Sequence, residues 1–557
     1  MINFTTRKGF FLYSFDIDKE EREKLDNFLH LLDVSGVAEI IENSTKKLNY
    51  QGRNKTNQFN MLATVLYAFM IDNGHLREIE RSCKMSLDYM YLMDNERVSY
   101  ATFSNFINEI IVPNIDEIFS KITTAIIKET DIDISDIFID GSKFEANANK
   151  YKFVWKPRKN LKNLEKKIID LFNKYNIQIS NVDNSSITES IFKLILYGQE
   201  LGVNLPKTER GKGRRLLEIQ KDYFKSLDYL KKFLKYSEQI DICGPNRNSY
   251  FKTDHDATAM CLKEDYYSGL GSNMHAAYNV QFIVSKGFIL GVYASQDRND
   301  FITLIPCLEL FKDYYGYYPI NVCADSGYGS YANYRFIKSL GIGNYVKYPS
   351  WQKEMSGKSP RLFKVDDDKV LCLNNKVGKI VDNGKSHPKN QNAKFYRFTG
   401  CNKCIYKSIC KNRIKNKSEN FRVSEINIDY LNFLDEVRDN LLSPKGIELR
   451  VNRSIQVEGE FGNIKQNLSY TRFRRRGIDK IKTEITLMAI GINVKKYLRF
   501  KNTNVLPKFW VSPENLQAEE VPEIKVPKKI VVKQKSANQI SKSSYKYTQK
   551  RLLSHRL

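Results

Sequence analysis

Three acidic residues, far apart in the sequence, stand where their carboxylates could hold metal ions. Asp140 closes the apolar run IFID, and Asp325 closes NVCAD just before the Gly-rich turn SGYG. Glu458 precedes Lys465 by seven residues in RSIQVEGEFGNIKQNL, a spacing that places both on one face of a helix. Carboxylates from two strand ends and one helix can hold two divalent cations about 3.5–4 Å apart, which activate a hydroxyl and stabilise the oxygen leaving a phosphodiester.

Each of these residues also has a simpler interpretation. Asp readily caps a turn with its own side chain, and a helical Glu–Lys pair is commonly a surface ion pair. Glu460 lies about 200° around the helix from Glu458. The pattern alone leaves open which of the two is the third carboxylate.

The two aspartates are predicted to follow strands of a mixed α/β sheet. Residues 134–147 predict a strand up to Asp140, a turn at Gly141 and a second short extended piece. AAYNVQFIVSKGFILGVYAS predicts a β-hairpin about its SKG turn, followed by a helix through DFITLIPCLELFKDYY. Strands at PINVCAD and GNYVKYP, with a helix between them, complete the pattern. Functional groups on such sheets tend to lie at the carboxyl ends of the strands.

Helices and insertions surround this core. Residues 1–130 predict a helical N-terminal domain, in which Ser99 caps a helix beginning at Tyr100 and Pro113 interrupts a later one. This part is either a helix-turn-helix-like DNA-binding unit or a plain helical bundle. The core is predicted from residues 131–150, 250–350 and 446–500. Residues 151–249 predict a Lys-rich helical hairpin with a solvated basic face, 351–445 a polar loop-like insertion, and 501–557 a basic disordered tail.

Composition favours a polyanionic partner. The chain of 557 residues has 89 Lys and Arg against 64 Asp and Glu, a net charge of +25. Such an excess favours nucleic acid, although the codon usage of an AT-rich genome would also enrich Lys. The apolar run in the first hundred residues, about 64–71, is far shorter than the ~20 residues that span a bilayer, and the N-terminus lacks a secretory pattern. We expect a cytoplasmic protein without a membrane partner.

Four cysteines fall in the second insertion. Cys401, Cys404 and Cys410 follow a C-x₂-C-x₅-C spacing, with Cys372 upstream, and His387 is a substitute ligand. Such a set can form a closed structural Zn²⁺ site that stabilises a loop-rich segment, or it can remain a group of reduced thiols.

A basic and aromatic run follows the Glu458 helix. Arginines on a loop can hold phosphates, Phe473 could stack on an unpaired base, and Lys465 is placed to touch a phosphate at the scissile end. A solvated basic turn is the alternative. The predicted DNA-binding residues are Lys465, Arg472, Phe473, Arg474, Arg475 and Arg476.

Four blocks in this order closely resemble the DDE transposases of bacterial insertion sequences, specifically the eleven-eighty-two group. They are FIDGSKFEANANKYKFVWK, TDHDATAMCLKED through AAYNVQ, VCADSGYGSYANYRFI, and RSIQVEGEFGNIKQNLSYTRFRRRG. The resemblance runs from about residue 20 to residue 500. It implies a ribonuclease-H-like catalytic core in which the family's acidic residues match Asp140, Asp325 and Glu458. The family's late signature has Tyr, Arg, Glu and Lys at set spacings. Glu458 and Lys465 fit its Glu–Lys spacing, so the resemblance favours Glu458 over Glu460, but no Tyr stands in the matching place and Arg453 is one residue off.

The resemblance implies a transposase that recognises the terminal inverted repeats of its own element. With Mg²⁺ or Mn²⁺ held by the three carboxylates, it would cleave a strand at the transposon end and join the freed 3′-hydroxyl to target DNA. Its partners would be double-stranded DNA, both transposon ends and target, with a homodimer formed on DNA and association with the bacterial nucleoid. Two alternatives remain open: a metal-dependent nuclease without strand transfer, and a DNA-binding relic that no longer catalyses.

Overall fold

A computed structural model describes residues 18–47, 56–205, 216–263, 273–382, 392–411, 420–506 and 516–522. These residues divide into two units. The first comprises the described parts of 18–349 and 439–518, and the second those of 350–438 and 519–522. His387 and the predicted basic tail from residue 523 onward lie outside the described residues.

Helices fill the first unit before its sheet. They are α1 (Lys19–Ser35), α2 (Val37–Lys47), α3 (Gln58–Ile71), α4 (Leu76–Met85), α5 (Leu87–Leu92), α6 (Tyr100–Phe106) and α7 (Val112–Thr130). The predicted cap of α6 is confirmed, because Ser99 Oγ accepts a hydrogen bond from the Thr102 N–H at 3.3 Å. The predicted interruption at Pro113 takes the form of a break in the regular α-helix, not of a loop. A π-helical turn at Ile107–Ile111 leads directly into α7, and it shifts the backbone hydrogen bonds that a proline, which has no N–H, would otherwise break.

The strands of the first unit are β1 (Asp136–Glu145), β2 (Phe153–Trp155), β3 (Ser249–Phe251), β4 (Thr258–Met260), β5 (His275–Ser285), β6 (Phe288–Ser295), β7 (Asn321–Ala324) and β8 (Gly343–Val346). Six of them form a mixed sheet. β1 pairs antiparallel with β5 and parallel with β7, and β8 extends the sheet in parallel beyond β7. β4 and β6 both pair with β5. The predicted mixed α/β fold is confirmed.

The predicted hairpin is also confirmed. β5 and β6 are joined by Lys286 and Gly287, which both have positive φ, 49° and 80°. Two left-handed residues in a row match the twist of a tight two-residue hairpin. The helices that follow are α11 (Leu304–Tyr315), before β7, and α12 (Tyr331–Ser339), between β7 and β8.

The first insertion carries more helix than predicted. It contains α8 (Arg158–Asn173), α9 (Asn184–Glu200) and α10 (Glu218–Cys243), not a two-helix hairpin. These helices enclose a hydrophobic core of their own, centred on residues such as Ile168, Phe172, Ile187 and Leu194. The prediction failed because a Lys-rich sequence conceals one apolar stripe on each helix, and three stripes can bury one another. β2 and β3 pair at the base of this insertion.

The second unit is also more regular than the loop-like insertion that was predicted. It contains α13 (Trp351–Met355), β9 (Phe363–Asp366), β10 (Lys369–Cys372), β11 (Lys379–Ile380), β12 (Lys394–Thr399), α14 (Lys407–Lys411), β13 (Phe421–Ile426) and most of α15 (Ile428–Leu442). β9 pairs with β10, and β11, β12 and β13 form a three-stranded sheet.

Two late helices return to the first unit. α16 (Pro444–Gly462) begins at the cap Ser443 and packs on β1, β5 and β7. α17 (Ile478–Thr503) packs on α3, α7 and β6. Gly491 allows the close approach of α17 to α3, because a Cβ at this position would lie 2.3 Å from the Phe69 carbonyl oxygen. Within the described ranges, no helix combines the length and the apolar character needed to span a membrane.

Candidate active site

Asp140 and Asp325 lie side by side on neighbouring strands. β1 and β7 run parallel, and the register pairs Ile139 with Ala324, so that each aspartate is the next residue along its strand. Because the two strands run in the same direction, the residues that follow this pair lie next to each other at the same end of the strands. The fold therefore brings together two carboxylates that are 185 positions apart in the sequence.

Asp140 does not end its strand, and the predicted turn at Gly141 is wrong. β1 continues to Glu145, with Asp140 opposite Phe282 and Gly141 opposite Gln281 of β5. The strand continues because β5 is long enough to pair with all of it. β7, in contrast, ends at Ala324. Asp140 therefore has a paired residue on the β5 side of β1 but none on the β7 side.

Arg453 of α16 is the direct ionic partner of Asp140. Its Nη1 donates to Asp140 Oδ2, and the Gly141 N–H donates to Oδ1 at 2.8 Å. Burial raises the pKa of Asp140 to about 6, with the nearby charge of Asp325 adding to the rise and Arg453 opposing it. A carboxyl that titrates near neutrality next to a second carboxylate is a common property of catalytic centres.

A third aspartate, which the sequence interpretation missed, lies beside Asp325. Asp300 Oδ1 accepts hydrogen bonds from the Asn279 and Gln281 amides at 2.6 and 3.2 Å. A Cβ added to Gly327 would lie 3.3 Å from Asp300 Oδ2 and 2.9 Å from Asp325 Oδ1, so both carboxylates face this glycine. The available signal was the polar Asn279 and Gln281 inside the otherwise apolar strand β5.

Gln281 connects these groups to the other side of the site. The buried Tyr328 hydroxyl donates to Gln281 Oε1, and a Cβ on Gly141 would lie 2.5 Å from the Gln281 amide. A glycine beside Asp140 thus makes room for the amide that holds Asp300.

The two glutamates of α16 have different surroundings. Glu458 is 63% exposed, and its Oε1 is 3.9 Å from Arg453 Nη2. Glu460 is buried and forms an ion pair with Lys496. Glu458 is therefore the one that shares Arg453 with Asp140, while Glu460 is engaged in packing α16 against α17.

Lys465 does not continue the α16 helix face as expected. α16 ends at Gly462, and residues Asn463–Asn467 form a π-helical turn. The wider turn changes the direction of Lys465, whose Nζ donates to the Lys143 carbonyl at 2.9 Å and lies 4.8 Å from the centre of the Phe144 ring. It contacts β1 a few residues beyond Asp140.

The arginines after this turn are held by carbonyl and amide oxygens. Arg472 and Arg476 contact the Ala148 and Asn147 carbonyls at 3.5 and 2.8 Å. Arg474 donates to the Asn73 carbonyl and Arg475 to Asn108 Oδ1, both at 3.1 Å. The turn thus joins the segment after β1 to the N-terminal helices. The carboxylate of Glu484 also lies beside the turn, where it accepts hydrogen bonds from the backbone N–H groups of Arg474 and Arg475 at 3.3 and 3.2 Å.

Phe473 is buried, and its predicted role in stacking on a base is wrong. Only 2% of the residue is exposed, and its ring packs against those of Phe144, Tyr278 and Tyr470. The sequence placed it among arginines on a turn, but alternate residues of an extended segment point to opposite sides, and this one points inward.

Comparison with known families assigns the segment that contains α16. Residues 371–498 match the family model described as "Transposase DDE domain". The chain carries a transposase DDE domain. This confirms the recognition of a DDE transposase, whereas the insertion-sequence group stays a prediction. No curated protein and no solved structure matches the chain significantly.

The matched segment covers less than a quarter of the chain. It includes Arg453 and Glu458 but neither Asp140 nor Asp325. The assignment of the two aspartates depends on the register that joins their strands and on the contact between Asp140 and Arg453.

The four cysteines of the DDE domain segment line one small cavity of about 30 Å³. Cys410 Sγ accepts a hydrogen bond from Arg422 Nη1 at 2.8 Å, and Cys401 Sγ lies 3.6 Å from the Phe398 carbonyl. Among the residues that the structure describes, no three acidic, His or Cys side chains are arranged to hold one metal ion. The same holds for Asp140, Asp325 and Glu458. Both the zinc site and the site of three carboxylates stay predictions.

Proposed function

We propose that this chain is a transposase that binds the terminal inverted repeats of its insertion sequence and both cleaves and joins DNA strands there. The observation that carries the proposal is the pair Asp140–Asp325 at one edge of a mixed sheet, bound through Arg453 to the helix of the DDE domain segment. The six-stranded sheet would be the ribonuclease-H-like catalytic core.

The two aspartates suit a divalent cation such as Mg²⁺ or Mn²⁺, with Glu458 as the third ligand. Hard cations prefer carboxylate oxygens, and DDE transposases generally use divalent metals. Asp140 and Asp325 lie together at the sheet, and Arg453 contacts both Asp140 and Glu458. Glu458 would have to approach the two aspartates for the three carboxylates to hold one ion, because they do not form such a group among the described residues. A bound ion would supply charge stabilisation at the phosphodiester.

Arg453 would keep Asp140 ionised at physiological pH. Burial and Asp325 favour the protonated carboxyl, and the guanidinium is the cation that opposes them. With a pKa of about 6, Asp140 is mostly ionised at pH 7. The departure of Arg453 from the family spacing would then reflect a contact with Asp140 rather than loss of the site.

DNA would lie across the basic turn of Arg472, Arg474, Arg475 and Arg476. The turn contacts both the segment after β1 and the N-terminal helices, so that phosphates held there would be near the catalytic strand. Because transposition brings two element ends together, we propose a homodimer on DNA.

The test is strand cleavage and joining by the purified full chain with DNA that carries the element's own ends and Mg²⁺. Wild type is compared with Asp325→Asn and with the control Asp313→Asn, a change of the same kind on the exposed side of α11. We expect cut and joined products from wild type and the control, and neither from Asp325→Asn.

The other outcomes distinguish the alternatives. Cut ends without joined products would indicate a nuclease without strand transfer. Binding of the ends without cutting by any of the three proteins would overturn the catalytic assignment and favour a DNA-binding relic.

A further inference from the structure

Three aromatic side chains lie exposed shortly after the catalytic strand. Tyr151 is 82% exposed, Phe153 42% and Trp155 55%. Large aromatic residues dominate the energetics of cores and interfaces, and several exposed together mark an interaction surface. We call these three residues the aromatic stripe.

The stripe is held on a fixed backbone. Phe153 and Trp155 are alternate residues of β2 and so face the same side, with their ring centroids 5.6 Å apart in an edge-to-face arrangement. β2 pairs with the fully buried strand β3, where Phe153 lies opposite Phe251. The rings of Phe153 and Trp155 are therefore exposed on an anchored strand, and Tyr151 lies in the turn just before it.

The sequence around the stripe is basic. No acidic residue occurs between Glu145 and Glu165, a stretch that contains six basic residues, Lys150, Lys152, Lys156, Arg158, Lys159 and Lys162. Lys150 Nζ lies 5.3 Å from the centre of the Tyr151 ring. A mixed surface for another protein would be expected to carry both signs, whereas alternating cations and rings match a polyanion with stackable bases.

The stripe is also continuous with the proposed DNA path. It begins six residues after Glu145, the end of the strand that carries Asp140. The connecting residues Asn147 and Ala148 are bonded to Arg476 and Arg472 of the basic turn. A strand of DNA held at the turn would thus have the stripe next to it.

We propose that the aromatic stripe stacks on unpaired bases of single-stranded DNA at the element end, with the neighbouring lysines holding its phosphates. This inference rests on the proposed function and names the part of the DNA that this surface recognises. Every base has a flat face, so such stacking is tolerant of sequence and acts only where bases are unpaired.

The test measures DNA binding apart from cleavage, with the full chain carrying Asp325→Asn. The probes are a single-stranded oligonucleotide of the element end and the duplex of the same sequence. The chain has three tryptophans. Trp351 is only 3% exposed, so DNA cannot stack on it, and Trp510, which is outside the described residues, is replaced by Phe. A change in tryptophan fluorescence on binding DNA then reports on Trp155. We expect the single strand to quench the fluorescence of Trp155, and the duplex to leave it unchanged.

Substitutions then separate stacking from folding. Trp155→Ala is expected to weaken binding of the single strand by about 10-fold, and Trp155→Phe to restore most of it. Phe192→Ala is the matched control, because Phe192 of α9 is also exposed, at 60%, but lies outside the stripe. Unchanged thermal unfolding of each variant establishes that the protein is folded.

Three results would overturn the inference. They are equal quenching by the duplex, equal affinity of Trp155→Ala and Phe192→Ala, and dissociation of a dimer by Trp155→Ala with no effect on DNA binding. The last would identify the stripe as an interface between copies of the chain. Stacking without any joined products in the wild-type cleavage assay would support this inference while refuting strand transfer.

Discussion

Replacing Asp325 by Asn is expected to stabilise the metal-free protein at neutral pH while abolishing strand cleavage. Asparagine has nearly the same shape as aspartate and keeps an oxygen that can accept the hydrogen bond from the Gly327 N–H, which is 2.7 Å from Asp325 Oδ1. The substitution removes the negative charge that faces Asp140.

The magnitude follows from the pKa of Asp140. Burial, together with Asp325 and against Arg453, raises it from 3.8 to about 6. A rise of about two pH units corresponds to about 3 kcal/mol favouring the protonated carboxyl. Burial is the largest cause, so we expect removal of the Asp325 charge to recover only about 1 kcal/mol.

The effect should depend on pH with a defined sign. The raised pKa means that the folded protein binds more protons than the unfolded chain between pH 3.8 and about 6. This contribution to the free energy of unfolding is fully present below pH 3.8 and is lost as the pH rises through 6. The Asp325→Asn variant should lose less of it, so the two proteins should differ little in acid and most above pH 6.

The assay is urea unfolding in EDTA between pH 4.5 and 8, followed by circular dichroism, with Asp313→Asn as the control. A gain of about 1 kcal/mol would raise the urea midpoint by roughly 0.3 M above pH 6. A less stable Asp325→Asn protein at pH 7, or a difference that does not change with pH, would refute the proposed coupling between the two aspartates.

Two further substitutions probe the same site. Arg453→Gln should raise the pKa of Asp140 above about 6, because it removes the positive charge that opposes the effect of burial. The acid limb of the cleavage–pH profile should therefore move to higher pH. Arg453→Lys, which keeps a positive charge, should move it less. Single-turnover cleavage rates from pH 5.5 to 8.5 check this, and identical profiles would contradict it. Gly141→Ala should destabilise the protein by about 1–3 kcal/mol, because the Cβ would meet a Gln281 amide that Tyr328 and Asp300 hold in place. Gly459→Ala, a helical position with nothing within 4 Å, should instead stabilise by about 0.5–1 kcal/mol, and equal thermal shifts in the two variants would disprove the argument.

Local patterns in the sequence were enough to predict several elements. The hairpin turn at Lys286 and Gly287 and the cap at Ser99 depend on the backbone preferences of a few adjacent residues, and both are present as predicted. The order of the motif blocks was enough to recognise a DDE transposase. Segments with hidden apolar stripes, such as α8 to α10, were misjudged because burial depends on neighbours that a single helix does not reveal.

The sequence by itself determined the types of residue available for chemistry and the strands that lead to them. Asp140 and Asp325 each follow an apolar run, and that pattern predicts a strand before each carboxylate. Their side-by-side position, however, was decided by pairing between β1 and β7, because the two aspartates are 185 positions apart in the sequence.

Tertiary structure alone decided the partners of these carboxylates. Pairing with β5 carries β1 past Asp140, the approach of α16 supplies Arg453, and Gln281 and Asp300 reach the site from β5 and the residues before α11. The same packing buried Phe473 and left Trp155 exposed. Propensities act over a few residues, whereas burial and charge pairing depend on which distant segments the fold brings into contact.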